Sequence, residues 1–297
     1  MADVLPVEKN SIRPRLWRWI IGTLFIITIW ISLGYVLSLI SANFFGYDLD
    51  LLLSTNDEDL AKVRELPVWS TSMTLLIEFL VLFVATLLAY RIFLGRRVIG
   101  LFTSFEKLSW RRIWIGFLAM LTIVLSYTFP SFIIYRDDYT WSWSATEFLP
   151  FLFISLTLLP IQTTAEELFY RGWIQQWLDN GKKKQWTISL LSSLLFAAPH
   201  LLNPEVAGNE LLFPVLAYGS VGFMFAWVTY RDKTLEVAIG AHFANNLSLL
   251  LVASEDSALP SVSLYTTPEV SWAPTAAFAL LTVPLFIWLT KKWSTKV

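Results

Sequence analysis

The chain has 297 residues, of which 56% are hydrophobic and only 15% charged, against roughly 25% charged in an ordinary soluble domain; so few charges cannot cover so much apolar surface, which excludes a soluble fold, disorder, a coiled coil and collagen-like structure. The absence of Cys excludes disulfides, thiolate metal sites and a thiol nucleophile, and a net charge of −1 offers no basic field to nucleic acid. The 15 Trp, 10 Tyr and 22 Phe suit a membrane protein with aromatic belts.

Eight apolar segments follow in chain order, at 19–40, 69–93, 113–135, 148–173, 186–201, 212–230, 235–252 and 273–289. Most approach the ~20 residues that cross a hydrocarbon core, and in lipid each must be helical, because a helix satisfies its own backbone groups. The fifth and seventh are short and are expected to tilt little or to sit within the bundle. The first follows a mostly polar stretch carrying Lys9, Arg13, Arg15 and Arg18. Its apolar run exceeds the roughly 7–15 residues of a signal-peptide core, so it is expected to be an uncleaved anchor. The longest outer connection, from Ser41 to Pro67, is acidic and expected to be partly ordered.

Charge sets the orientation. With the N-terminus placed in the cytoplasm and the segments alternating, the outer connections hold only Lys62, Arg64 and Arg136 of the 22 basic residues. Asp48, Asp50, Asp57, Glu58, Asp59, Asp137, Asp138, Glu255 and Asp256 lie on that same outer side, as the positive-inside rule requires. Trp69, Trp110, Trp114, Trp186, Trp272 and Trp288 fall near segment ends as interfacial anchors. The fold class expected is an all-α polytopic transmembrane bundle of about eight helices with both termini cytoplasmic.

Ionisable groups inside a span are costly and tend to face the bundle interior. Four places carry them: Glu78; the pair Glu166 and Glu167; His200; and His242 with Asn245 and Asn246. Taken singly, each is equally a buried polar group tying helices together. Depth tests whether they can meet. If the fourth helix runs on to Asp179, Glu166 lies 13 residues from its cytoplasmic end, or ~20 Å. His200 lies 14 residues beyond Trp186, or ~21 Å. His242 and Asn246 lie 9 and 13 residues beyond Lys233, or roughly 14 and 20 Å. Three helices thus bring a carboxylate, two imidazoles and an amide to a similar level.

Helical spacing separates the roles. Glu166 and Glu167 point about 100° apart and form no carboxylate dyad. Glu167 and Arg171 stand four apart with the acid first, the favourable order for a supporting ion pair. Glu166 has no basic partner within one turn and is left to face the interior. His242 shares a face with Asn246, and Phe196 with His200. The four-apart small pairs Gly240/Ala244 and Gly222/Ala226 fit close helix packing. Pro160 and Pro199 are placed to open their helices locally, Pro199 directly before His200. Glu78 lies toward the outer side with no motif around it.

Three motifs stand in order on successive segments: Glu166-Glu167-Leu168-Phe169-Tyr170-Arg171 as EExxxR, Phe196 to His200 as FxxxH, and His242 to Asn246 as HxxxN. The trio resembles the CAAX-protease and bacteriocin-processing (CPBP, or Abi) family of intramembrane endopeptidases. The resemblance covers a core at 148–252; the hydropathy reading sets three helices before it in 1–147, and an outer connection, a last helix and a basic tail after it in 253–297.

Peptide hydrolysis needs an activated water, a stabilised oxyanion and a protonated leaving group. Glu166 and His200 are the candidate acid–base pair, and His242 and Asn246 the candidate oxyanion donors. The resemblance implies the same division, with Glu167 and Arg171 supporting. Two His and one Glu also make a possible zinc site of Glu166, His200 and His242 with an open fourth position; metal-independent chemistry is the expectation and Zn the alternative. The expected substrate is a membrane-associated peptide or protein, in a bacterial plasma membrane. A peptide- or bacteriocin-binding immunity protein without catalysis, and a transporter using the same polar layer, are the competing functions.

Overall fold

The computed structural model describes residues 14–54, 57–179, 183–255, 261–267 and 269–294. Lys9, Arg13, Lys182, Asp256 and Lys296, which contribute to the charge asymmetry, lie outside them. Among the described residues, eight principal helices match the eight apolar segments. They are Leu16–Phe45, Val68–Leu94, Trp110–Ile134, Ala145–Leu178, Gln185–His200, Leu212–Asp232, Glu236–Leu247 and Trp272–Ser294. The protein is an all-α polytopic membrane bundle.

Six of these helices are long and apolar enough to cross a membrane. The fifth and seventh have 16 and 12 residues, or ~24 and ~18 Å. The seventh sits inside the bundle, with Glu236 to His242 continuously buried. The fifth exposes Trp186, Leu190, Leu194 and Leu195 along one side. Among the described residues, the connection between the first and second helices carries short helices at Leu49–Leu53 and Asp57–Arg64.

The fourth helix is central, packed on the second and the seventh; the seventh also packs on the third, and the fifth on the sixth. Glycine makes the closest of these approaches possible. A Cβ on Gly240 would stand 1.9 Å from the Ile113 carbonyl oxygen, and one on Gly116 2.0 Å from that of Val237. Any side chain at either position would force the third and seventh helices apart. Gly240 therefore does the close packing that its spacing predicts, and so does Gly222 against the fifth helix, where a Cβ would stand 2.9 Å from the Phe196 ring and 3.2 Å from the Ser193 Cα.

The fourth helix changes pitch where the EExxxR motif lies. It is α-helical to Glu167, then π-helical over Leu168–Ile174, and every residue of that stretch is buried. A π segment rotates the following side chains away from their α-helical direction. Trp173, fully buried, donates from Nε1 to Thr23 Oγ1 at 2.8 Å. A Cβ on Gly22 would lie 2.4 Å from its ring, so Gly22 provides the room for this indole.

One end of the bundle carries a small three-stranded sheet that hydropathy does not reveal. Thr140–Trp141 pairs antiparallel with Tyr265–Thr267, which pairs parallel with Val252–Ser254. It ties the connection after the third helix to the one after the seventh.

Candidate active site

The fourth helix supplies a ladder of polar side chains, all buried: Gln162, Glu166, Glu167, Arg171 and Gln175. Glu167 and Arg171 pair as their spacing predicts, Arg171 Nη1 donating to Glu167 Oε1 at 2.9 Å with both side chains fully buried. Arg171 Nη2 donates to the Gly222 carbonyl at 3.0 Å, and Gln175 Nε2 to the Ala226 carbonyl at 2.9 Å. The small residues of the sixth helix thus let its carbonyls meet the π-helical turn. The guanidinium also lies 4.4 Å from the Phe196 ring centroid, a cation–π contact in a dry site.

The seventh helix completes the arrangement. Glu167 Oε1 also receives His242 Nδ1 at 2.8 Å, so Glu167 serves both Arg171 and His242. A carboxylate paired with arginine only accepts, which places the His242 Nδ1 hydrogen on that bond. His242 Nε2 then points at Glu166, 3.8 Å from Oε2. The imidazole is 4% exposed and stacks on Phe225 with ring centroids 5.1 Å apart. Gln162 bridges the two helices: its Nε2 donates to Glu166 Oε1, and its Oε1 accepts from Asn246 Nδ2 at 3.0 Å. Asn245 Nδ2 in turn donates to Asn246 Oδ1 at 3.2 Å. Glu166 Oε2 is buried with no hydrogen-bond partner among the described residues, and so is Glu167 Oε2.

His200 stands apart from this network. Its Nδ1 lies 2.7 Å from the Phe196 carbonyl oxygen; a carbonyl only accepts, so Nδ1 carries the hydrogen of that bond and Nε2 is left out of it. The ring lies between Phe196 and Tyr218, at centroid distances of 4.5 and 4.8 Å. Among the described residues, no hydrogen bond or ion pair joins His200 to Glu166 or His242. Phe196 mediates instead, its ring 5.9 Å from that of His242. The Phe of FxxxH thus touches Arg171, His200 and His242 together. Behind His200, Tyr218 donates to Glu205 Oε1 at 2.8 Å, and Trp272 Nε1 donates to the Glu205 carbonyl at 2.9 Å.

The fold therefore brings Glu166, Glu167, Arg171, His242 and Asn246 into one polar layer of two hydrogen-bonded groups, Arg171–Glu167–His242 and Glu166–Gln162–Asn246, which face each other across 3.8 Å between His242 Nε2 and Glu166 Oε2, with His200 one aromatic ring away. As arranged, Glu166, His200 and His242 do not form a three-ligand set, and no group of three His, Asp or Glu side chains suited to a metal occurs among the described residues. Glu78 belongs elsewhere. It faces a groove of about 430 Å³ lined by Trp30, Ser32, Tyr35, Ser38 and Leu75, and no hydrogen bond or ion pair joins it to the layer. Gln162, Tyr218 and Glu205 were missed by sequence reasoning. For Gln162 a signal existed: it stands four residues before Glu166, on the same helix face.

Residues 146–248 match a family model described as type II CAAX prenyl endopeptidase Rce1-like. Over 216 residues the chain is 32% identical to Uncharacterized protein YyaK of Bacillus subtilis (strain 168), covering 70% of this chain and 72% of that protein. The chain belongs to the CAAX-protease and bacteriocin-processing family. No solved structure matches it. The matched region of this CPBP protein contains all three motifs and the whole of the polar layer. Membership makes it an integral membrane protein of the CAAX endopeptidase type.

Proposed function

We propose that this CPBP protein is a metal-independent intramembrane endopeptidase that cleaves a membrane-associated peptide or protein with a water activated by Glu166. The observation that carries the reading is the half-used Glu166 carboxylate. Oε1 is held by Gln162, while Oε2 is buried, unpartnered and turned toward His242. A gap of 3.8 Å is too long for a hydrogen bond and suits a bridging molecule.

In this reading Glu166 Oε2 takes a proton from water as the oxygen attacks the scissile carbonyl carbon. The oxyanion that forms accepts hydrogen bonds from Asn246 Nδ2 and, when His242 is an imidazolium, from His242 Nε2. Glu167 on one side and the oxyanion on the other compensate that imidazolium once Glu166 holds the water proton, and the Glu167–Nδ1 bond fixes its orientation. The proton then passes to the leaving amide nitrogen from Glu166, with His200 Nε2 as the second acid–base group. Arg171 neutralises Glu167 and anchors the turn to Gly222, without touching substrate.

The test is turnover of a cleavable membrane peptide in liposomes. Glu166→Gln keeps size and hydrogen-bonding capacity but cannot take the proton; it is expected to insert and fold normally and to lose nearly all turnover. Near-wild-type turnover would refute the reading. Chelation followed by repurification is expected to leave the wild-type rate intact, and a loss restored by Zn²⁺ would replace the metal-independent chemistry. Proteomic comparison of wild-type and Glu166→Ala membranes is the route to the substrate.

A further inference from the structure

The side chain that joins the two halves of the site belongs to none of the three motifs. Gln162 is 8% exposed and, among the described residues, is the one side chain hydrogen-bonded to both Glu166 on the fourth helix and Asn246 on the seventh. We infer that Gln162 is a positioning residue, whose single amide locks the base Glu166 and the oxyanion donor Asn246 into one rigid unit. This inference rests on the catalytic reading above and adds to it the device that sets the geometry.

The hydrogen-bond directions make the argument. A carboxylate only accepts, so Gln162 must turn Nε2 to Glu166 and Oε1 away from it. Oε1 then faces the seventh helix, where it accepts from Asn246 Nδ2. Asn246 is thereby oriented as well, since its Oδ1 already accepts from Asn245. One hydrogen of Asn246 Nδ2 is spent on Gln162 and the other remains for an oxyanion. On the fourth helix, occupation of Glu166 Oε1 leaves Oε2 as the oxygen that meets water. Glu in its place would set a second carboxyl against Glu166, and Asn is one methylene short.

The experiment compares Gln162→Met with Gln162→Ala in the full chain in liposomes. Met retains the volume and removes both hydrogen bonds. Ala leaves space in which water can join the same two partners. A clamp predicts a kcat loss of roughly 10–100-fold for Gln162→Met, with KM within about twofold and a smaller kcat loss for Gln162→Ala. Thermal stability is expected in the opposite order, because Met fills the core and Ala leaves a cavity. A residue that merely packs would give kcat in the order of stability, with Met above Ala, and that result overturns the inference. A double-mutant cycle provides the second measurement. Asn246→Ala is expected to cost less on the Gln162→Met background than on wild type; full additivity also overturns it. Should Gln162→Met fail to reach wild-type folded yield, Gln162→Leu takes its place with the same order expected. Wild-type kcat in Gln162→Met beside an inactive Glu166→Gln removes the clamp alone, whereas an active Glu166→Gln removes the catalytic reading beneath it.

Discussion

Two buried carboxylates pack around the seventh helix and have opposite fates. Glu236, at its start, is fully buried and fully used. Oε1 accepts the Ser109 backbone N–H at 2.6 Å and Oε2 accepts from Arg112 Nη1 at 3.3 Å. The Arg112 guanidinium lies 4.1 Å from the Phe105 ring centroid. Glu166, packed against the other end of the same helix, has one oxygen held and the other buried without a partner. A carboxylate of the first kind joins helices; Glu166, left half-open at a cost in desolvation, keeps a lone pair for chemistry. Burial alone does not distinguish a joint from a reactive centre, and neither does an open oxygen alone, since Glu167 Oε2 is open as well; Glu167 is committed through Oε1 to both Arg171 and His242, whereas the open oxygen of Glu166 faces His242 Nε2 across 3.8 Å.

The comparison breaks first at Glu166. Glu166→Gln is expected to abolish turnover at unchanged folded yield. His200→Ala is expected to cost roughly 10²–10⁴-fold, the range of a lost acid–base group. Asn246→Ala removes one oxyanion donor and is expected to cost roughly 10²–10³ in kcat with binding largely intact. Both are read as kcat per folded protein with the same liposome substrate. An effect of His200→Ala on KM alone would place that ring in substrate binding.

Glu236→Gln sharpens the contrast from the other side. It removes the charge of one partner of buried Arg112 and is expected to cost up to about 3–5 kcal/mol of stability, with kcat per folded protein unchanged. Changing Arg112 and Glu236 together to Met is expected to cost less than Glu236→Gln alone, because no uncompensated charge remains. Thermal unfolding in detergent checks the order. A normal fold with lost turnover in Glu236→Gln would mean that the two carboxylates are not distinct in kind.

The sequence made the helices legible because each span needs a long apolar run, and made Glu167–Arg171 legible because the pair lies within one turn. It placed Glu166, His200, His242 and Asn246 at one depth, and the structure gathers three of the four by hydrogen bonds or close approach. His200 shows why depth was insufficient: rise per residue gives height, whereas azimuth depends on packing, and its ring is turned between Phe196 and Tyr218. The π-helical turn adds a rotation that no residue type announces. Gln162 was half legible, in its spacing from Glu166, and half hidden, because its other partner, Asn246, is 84 residues away. The strands at Thr140–Trp141, Val252–Ser254 and Tyr265–Thr267 were hidden because two or three residues carry no periodicity.

The smallest expected effect probes the wall behind His200. Tyr218 offers two things to the site: a ring 4.8 Å from the imidazole and a hydroxyl on Glu205 Oε1 at 2.8 Å. Tyr218→Phe removes only the hydroxyl. Loss of a hydrogen bond to a carboxylate predicts about 1–2 kcal/mol of stability, and the retained ring predicts a kcat within about threefold of wild type. Tyr218→Ala removes the ring as well, freeing the imidazole to leave its present orientation, and is expected to lower kcat further than its stability loss explains. Phe at this position therefore separates anchoring of the loop at Glu205 from orientation of His200. If Tyr218→Phe falls as far in kcat as Tyr218→Ala, the hydroxyl on Glu205, rather than the ring, sets where His200 points. The half of the site outside the polar layer would then be held from the connection between the fifth and sixth helices.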